Sequence, residues 1–150
     1  MLAKGFNSEK GFYFWRKRGP LYDVLWSEIL SSRQEMRIYV TILSPWIDNS
    51  NGVFEKFPIS TSTIGGTLGP SFPESMTDGH LFSIGDNEQI LASFQEILSL
   101  MDEKVIPWFD SIISYESFVY YLGRRGCHPT PAYREKIKAG IALGFERESI

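Results

Sequence analysis

Hydrophobic and polar residues alternate with a period of two over the first third of the chain and with a period near 3.6 beyond Gly85. From Met36 the alternation is clean. Met36, Ile38, Val40 and Ile42 fall on one face of a predicted strand and Arg37, Tyr39, Thr41 and Leu43 on the other, until Pro45 stops the ladder. The even-numbered face is assigned to the core. Upstream, Phe12 to Lys17 and Leu21 to Ile29 are β-favouring runs separated by Gly19-Pro20, and Ser31 to Gln34 turns the chain into the third run. The three together predict an antiparallel meander. Its second face is amphipathic, because Tyr39 can be joined there by Trp15, Tyr22 or Trp26, in a register that periodicity alone does not set.

Residues 46–85 are rich in Ser, Thr, Gly and Pro and predict long surface loops, with short extended segments at Val53 to Ile59 and His80 to Ile84. Asp78-Gly79 suits a tight turn, since both residues tolerate positive φ. Asp86, with Gln89 three residues on, then has the form of a helix cap, and Ile90, Phe94, Ile97, Met101 and Val105 recur at helical spacing. This stripe is assigned to the core. Pro107 ends or kinks that helix, with Trp108 and Phe109 as packing anchors. A second helix fits Tyr115 to Leu122 with Gly123 as its cap, and a third starts from Thr130 and Pro131 and runs to Leu143 before Gly144. Strands first and helices last predict one α+β domain over 1–150, an antiparallel meander with two to three helices packed on one face.

Composition fits that reading and narrows the rest. A chain of 150 residues, 43% hydrophobic and 22% charged, matches one globular domain and is too apolar for a disordered one. No apolar run reaches the length of a signal peptide's core or a membrane span, and the single cysteine, Cys127, cannot form an internal disulfide. The expected compartment is the cytoplasm. Charge adds a sharper feature: residues 57–103 contain no Lys or Arg, and the formal charges of residues 1–45, 46–113 and 114–150 are +3, −8 and +2, which sum to the −3 of the whole chain. A one-sign field of this kind steers a basic partner.

Gly5-Phe6, then Phe14-Trp15-Arg16-Lys17, the strand through Arg37-Ile38-Tyr39-Val40-Thr41-Ile42, and the helix end Val105-Ile106-Pro107-Trp108-Phe109 together resemble a widespread bacterial domain family of unknown function. The resemblance spans about residues 1–122. It departs from the family pattern at the start, where members carry a further helix ahead of the Gly-Phe pair. It implies a fold and no active-site residue. Small bacterial proteins of this general look are sometimes encoded beside secreted toxins as their immunity partners.

Candidate chemistry is sparse. Cys127-His128 are adjacent in a Gly126-to-Pro129 loop, a poor geometry for a nucleophile and its base, and two histidines 48 positions apart with one cysteine give no metal-ligand spacing. His80 reads as a loop or strand residue. Gly65-Gly66-Thr67-Leu68-Gly69 lacks the following helix and Lys of a phosphate cradle and reads as a flexible turn. Arg16-Lys17-Arg18 and Arg124-Arg125 read as solvated strand-end and loop charges, since a pI near 5.4 and the acidic middle oppose a nucleic-acid footprint. Asp102 and Glu103 diverge by about 100° on a helix, and Asp86 and Glu88 suit a helix N-terminus. Asp48, Glu55, Glu74 and Asp78 are left without a local duty. They are the candidate partner-binding residues, with no catalytic, cofactor or metal site assigned. The expectation is a non-enzymatic protein-binding module, most concretely an immunity protein that meets a basic toxin domain through acidic loops. The alternative is a small-molecule-binding domain or enzyme with a pocket at the aromatic sheet face.

Overall fold

A computed structural model describes residues 4–9, 12–47, 64–122 and 130–150. Six strands form one antiparallel sheet: β1 (Asn7–Ser8), β2 (Tyr13–Arg18), β3 (Leu21–Leu30), β4 (Glu35–Leu43), β5 (Ile64–Thr67) and β6 (Phe82–Ser83). Strands β1 to β5 are neighbours in chain order, and β6 pairs with β4 at Glu35 and Met36, beyond the stretch of β4 that pairs with β5. The meander is therefore as its alternation predicts. Gly19 supplies the positive φ, 50°, needed in the tight β2–β3 turn, and Gln34 takes a left-handed φ of 53° after a single 3₁₀ turn at Ser31–Arg33.

The register settles which side chains share a face. Phe14 is paired with Leu25 and Leu25 with Val40, so the even face of β4 continues through Leu25 and Phe14. Met36, Ile38, Val40 and Ile42 are all buried there beneath the helices. On the opposite face Tyr13, Tyr22, Val24 and Leu43 form a smaller buried cluster, with Trp15 and Trp26 packed against it. Trp26 stacks on its cross-strand partner Tyr39, centroids 4.0 Å apart and planes 11° from parallel, and the Tyr39 hydroxyl donates to Glu28 at 2.9 Å.

Helix α1 (Asn87–Leu100) begins at Asp86, whose carboxylate accepts the Gln89 N–H at 2.9 Å, as the cap pattern predicts. Its buried edge is Ser93, Ile97 and Leu100, with the Ser93 hydroxyl donating to the Ser83 carbonyl of β6. This rotates the helix relative to the predicted stripe. Ile97, Met101 and Val105 are core residues, but Phe94 lies at the rim and is 37% exposed. The helical run does not end at Pro107. A π-helical turn at Met101–Val105 leads into α2 (Ile106–Ser111), with the Ile106 N–H bonded to the Met101 carbonyl. Pro107 has no N–H to offer Glu103, and the wider turn accommodates that gap. Trp108 and Phe109 are buried anchors, and α3 (Tyr115–Leu122) contributes Phe118 and Leu122 to the same core.

Helix α4 (Pro131–Arg147) starts on the Thr130 cap and runs past Gly144, which sequence takes as its stop. Gly140 and Gly144 are contact glycines. A Cβ on Gly140 would lie 2.5 Å from the Ile47 Cα, and one on Gly144 would lie 2.7 Å from the Pro20 side chain. A similar close approach explains Gly65 and Gly66, which stand inside β5 and not in a flexible turn: a Cβ on Gly66 would lie 2.0 Å from the Met76 carbonyl oxygen. The segment between β5 and β6 is loop, as predicted, but it does not lie wholly on the surface, because Leu68, Phe72 and Met76 are buried in the main core. Among the described residues no helix is long and apolar enough to cross a membrane.

Candidate functional site

Folding carries the charge segregation to the surface. Residues 64–122 contain nine acidic side chains and one basic side chain, Lys104. All nine acids are exposed, whereas Lys104 is half-buried and its ammonium donates to the Pro70 carbonyl at 2.6 Å. Three of the acids meet cationic or ionisable groups: Asp102 pairs with Lys4, Asp110 with Arg16 at 2.9 Å, and Glu96 lies 3.4 Å from His80 Nε2. The remainder are held by neutral donors or stand free of described bonds. Glu103 accepts from the Ser99 hydroxyl at 2.6 Å. The Glu116 carboxyl is drawn below its ordinary pKa by its own backbone N–H at the start of α3 and by Ser114.

The candidate residues divide. Glu74 is exposed and lines an open cleft of about 430 Å³ with Glu103, Lys104, Trp108 and Tyr121. Asp78 does not line that cleft and has a local duty after all. Its Oδ1 accepts the His80 N–H at 3.2 Å and lies 3.4 Å from the Thr67 hydroxyl, which itself accepts the Gly79 N–H, so the carboxylate organises the turn at Gly79, where φ is 68°. Asp48 and Glu55 lie outside the described residues, as do the extended segment at 53–59, the Gly123 cap, Arg124-Arg125 and Cys127-His128. Among the described residues no three His, Cys, Asp or Glu side chains converge on a metal-sized space.

Arg16 and Arg18 are not solvated charges. Alternation along β2 puts both on the helix-covered face, where Arg16 is paired across the strands with Asp23, a fully buried carboxylate. Arg16 donates to Asp23 through Nε and Nη2 and Arg18 through Nε and Nη2, at 2.6 to 2.9 Å. Arg16 also reaches Asp110, and Arg18 reaches the Ile112 carbonyl at 3.2 Å, so the four charged groups tie the β2–β3 hairpin to the end of α2. Lys17, on the other face, pairs with Glu148 at 2.7 Å.

Sequence reasoning missed the apolar surface on α1. Leu91, Phe94 and Leu98 form an outward stripe and all three are exposed, with Glu88, Gln95 and Asp102 also exposed along the helix. The i, i+3, i+7 spacing was present in the sequence, but two adjoining apolar stripes on one helix cannot be ranked by period alone. Beside this stripe a cavity of about 320 Å³ opens between α1 and the sheet, lined by Phe12, Phe14, Leu25, Ile38, Phe94, Ile97, Leu98 and Met101. It lies on the helix-covered side of the sheet, opposite the Trp26–Tyr39 face. Comparison of the chain with protein-family models, with curated proteins and with solved structures finds no match.

Proposed function

We propose that this chain is a non-enzymatic protein-binding module that captures a basic protein surface on the acidic face built by residues 64–122. In its most concrete form it is an immunity protein that covers a toxin's cationic active cleft. The observation that supports this reading is the exposure of all nine acids in a segment whose single basic side chain is half-buried and turned to a backbone carbonyl. Like charges concentrated in this way oppose self-association and raise the capture rate of a partner of opposite sign. The exposed Leu91, Phe94 and Leu98 add what charge lacks, an apolar centre able to slow dissociation once the partner is seated.

The acids best placed to act are Glu74, Glu88 and Glu103, which have no described cationic partner. Asp78 is less suited, because its carboxylate is committed to its own turn. The test is affinity capture from cells of the source organism with the wild-type chain and with a Glu74→Lys, Glu88→Lys, Glu103→Lys variant, both first shown to be folded. A basic protein retained by the wild type and lost from the variant is the expected result. Retention of the same proteins by both would contradict the reading.

A further inference from the structure

The cavity beneath α1 is a second candidate site, which shares Phe94 and Leu98 with the exposed apolar stripe. Its floor is made by Leu25, Ile38, Ile97 and Met101, each buried in the main core, and Phe14 forms a wall. Phe12, Phe94 and Leu98 stand at its mouth. The Phe12 ring lies 5.0 Å from Phe14 and 6.1 Å from Phe94, so the aromatic rings flank the opening and leave it unfilled. None of the lining side chains is ionisable or carries a hydrogen-bonding group, Met101 contributing only a weakly polar thioether.

The space is far larger than a water molecule and opens to solvent between Phe12, Phe94 and Leu98. Water fills a cavity only where it finds about two to four polar partners. The sheet offers none at the floor, because Phe14, Leu25 and Val40 are joined in the continuous β2–β3–β4 ladder that occupies their backbone groups. The space is thus poorly hydrated, the condition under which an uncharged apolar ligand displaces little that is well bound. We propose that the cavity binds an uncharged hydrophobic small molecule, aromatic or with a short hydrocarbon chain. A dry cavity of about 150 Å³ accepts benzene, which scales to roughly twelve non-hydrogen atoms here. Met101, unbranched and polarisable, lets the floor adapt to ligands of differing outline.

Naphthalene is a suitable probe, being of the right size and without charge. Methyl signals of Leu25, Ile38, Ile97 and Met101 in the full chain are followed by NMR as naphthalene is added to its solubility limit. The expected result is saturable binding with shifts confined to these methyls and to Leu98. Leu98→Trp places an indole at the mouth and should weaken binding by about tenfold or more by occupying the space. Leu91→Trp, on the same exposed stripe but outside the lining, should leave it unchanged. Leu98 and Leu91 are 55% and 61% exposed, so both larger side chains have room at the surface. Absence of methyl shifts at saturation overturns the proposal, as does binding that both tryptophan variants affect equally, which marks adsorption on the exposed stripe. The wild-type shift map decides the matter even if Leu98→Trp fails to fold.

Discussion

Replacing Asp23 by Asn removes the one negative charge on which two guanidinium groups converge. The carboxylate is fully buried and accepts four N–H bonds from Arg16 and Arg18 at 2.6 to 2.9 Å, while the two arginine side chains are themselves largely covered. An amide of the same shape keeps one acceptor oxygen but turns an NH₂ donor toward guanidinium donors. Breaking a buried ion pair from one side costs about 3–5 kcal/mol, because the partner charge is left uncompensated. Asp110 still neutralises Arg16 at 2.9 Å, so the lower end, about 3 kcal/mol, applies. For a domain of this size that is a large part of a total of about 7–15 kcal/mol and corresponds to a fall in Tm of about 6–12 °C. Urea unfolding followed by circular dichroism measures it. Asp110→Asn is the control: that carboxylate is more than half exposed and should cost less than about 1 kcal/mol. If Asp23→Asn cost no more than Asp110→Asn, the hairpin would not depend on this network.

The rotation of α1 predicts unequal costs along it: Ile97→Ala should lose about 2–5 kcal/mol, and Phe94→Ala, at the rim, no more than about 2 kcal/mol, with the reverse order of denaturation midpoints refuting the assigned edge. Gly140→Ala raises helix propensity by about 1 kcal/mol yet should destabilise by about 1–3 kcal/mol, since its methyl meets backbone at Trp46 and Ile47; a raised Tm would contradict the close contact. Burial pushes the Glu148 carboxyl up, but hydrogen bonds from Lys17 and Trp46 and the Lys17 charge outweigh it and hold its pKa below the usual carboxylate range. A depressed folded pKa gives stability that is present above the unfolded value and lost as pH falls through the folded one. Glu148→Gln should therefore cost less than about 1 kcal/mol at neutral pH, and its difference from wild type should shrink as pH drops through the carboxylate range; a difference that grew there would refute the assignment.

How much of this was legible in the sequence varies with the kind of signal. The meander and the three helix starts were legible because period, turn residues and caps are local. Asp86, Thr130 and the Met36-to-Ile42 alternation behave as their neighbours dictate. What failed depends on contacts between distant segments. Gly65, Gly66 and Gly144 read as breakers, and only the backbone or side chain packed against each shows that they are contact points. Arg16 and Arg18 read as surface charge because Asp23 and Asp110 are joined to them by register and by helix placement. The acidic surface was visible as a charge count, but the surroundings of single acids were not: Asp78 serves its own turn, whereas Glu74, Glu88 and Glu103 are exposed without a described cationic partner.

Capture of a basic partner by the exposed acids of residues 64–122 is the core of the proposed function. Its most direct measurement is the association rate of the captured partner, for wild type and for the Glu74→Lys, Glu88→Lys, Glu103→Lys variant, across ionic strengths that bring the screening length from about 30 Å to about 8 Å. The account predicts a wild-type rate that falls steeply with salt, and a variant that is slow at low salt and nearly salt-independent, with dissociation changing less than association. Equal, salt-independent association rates for the two proteins would contradict it.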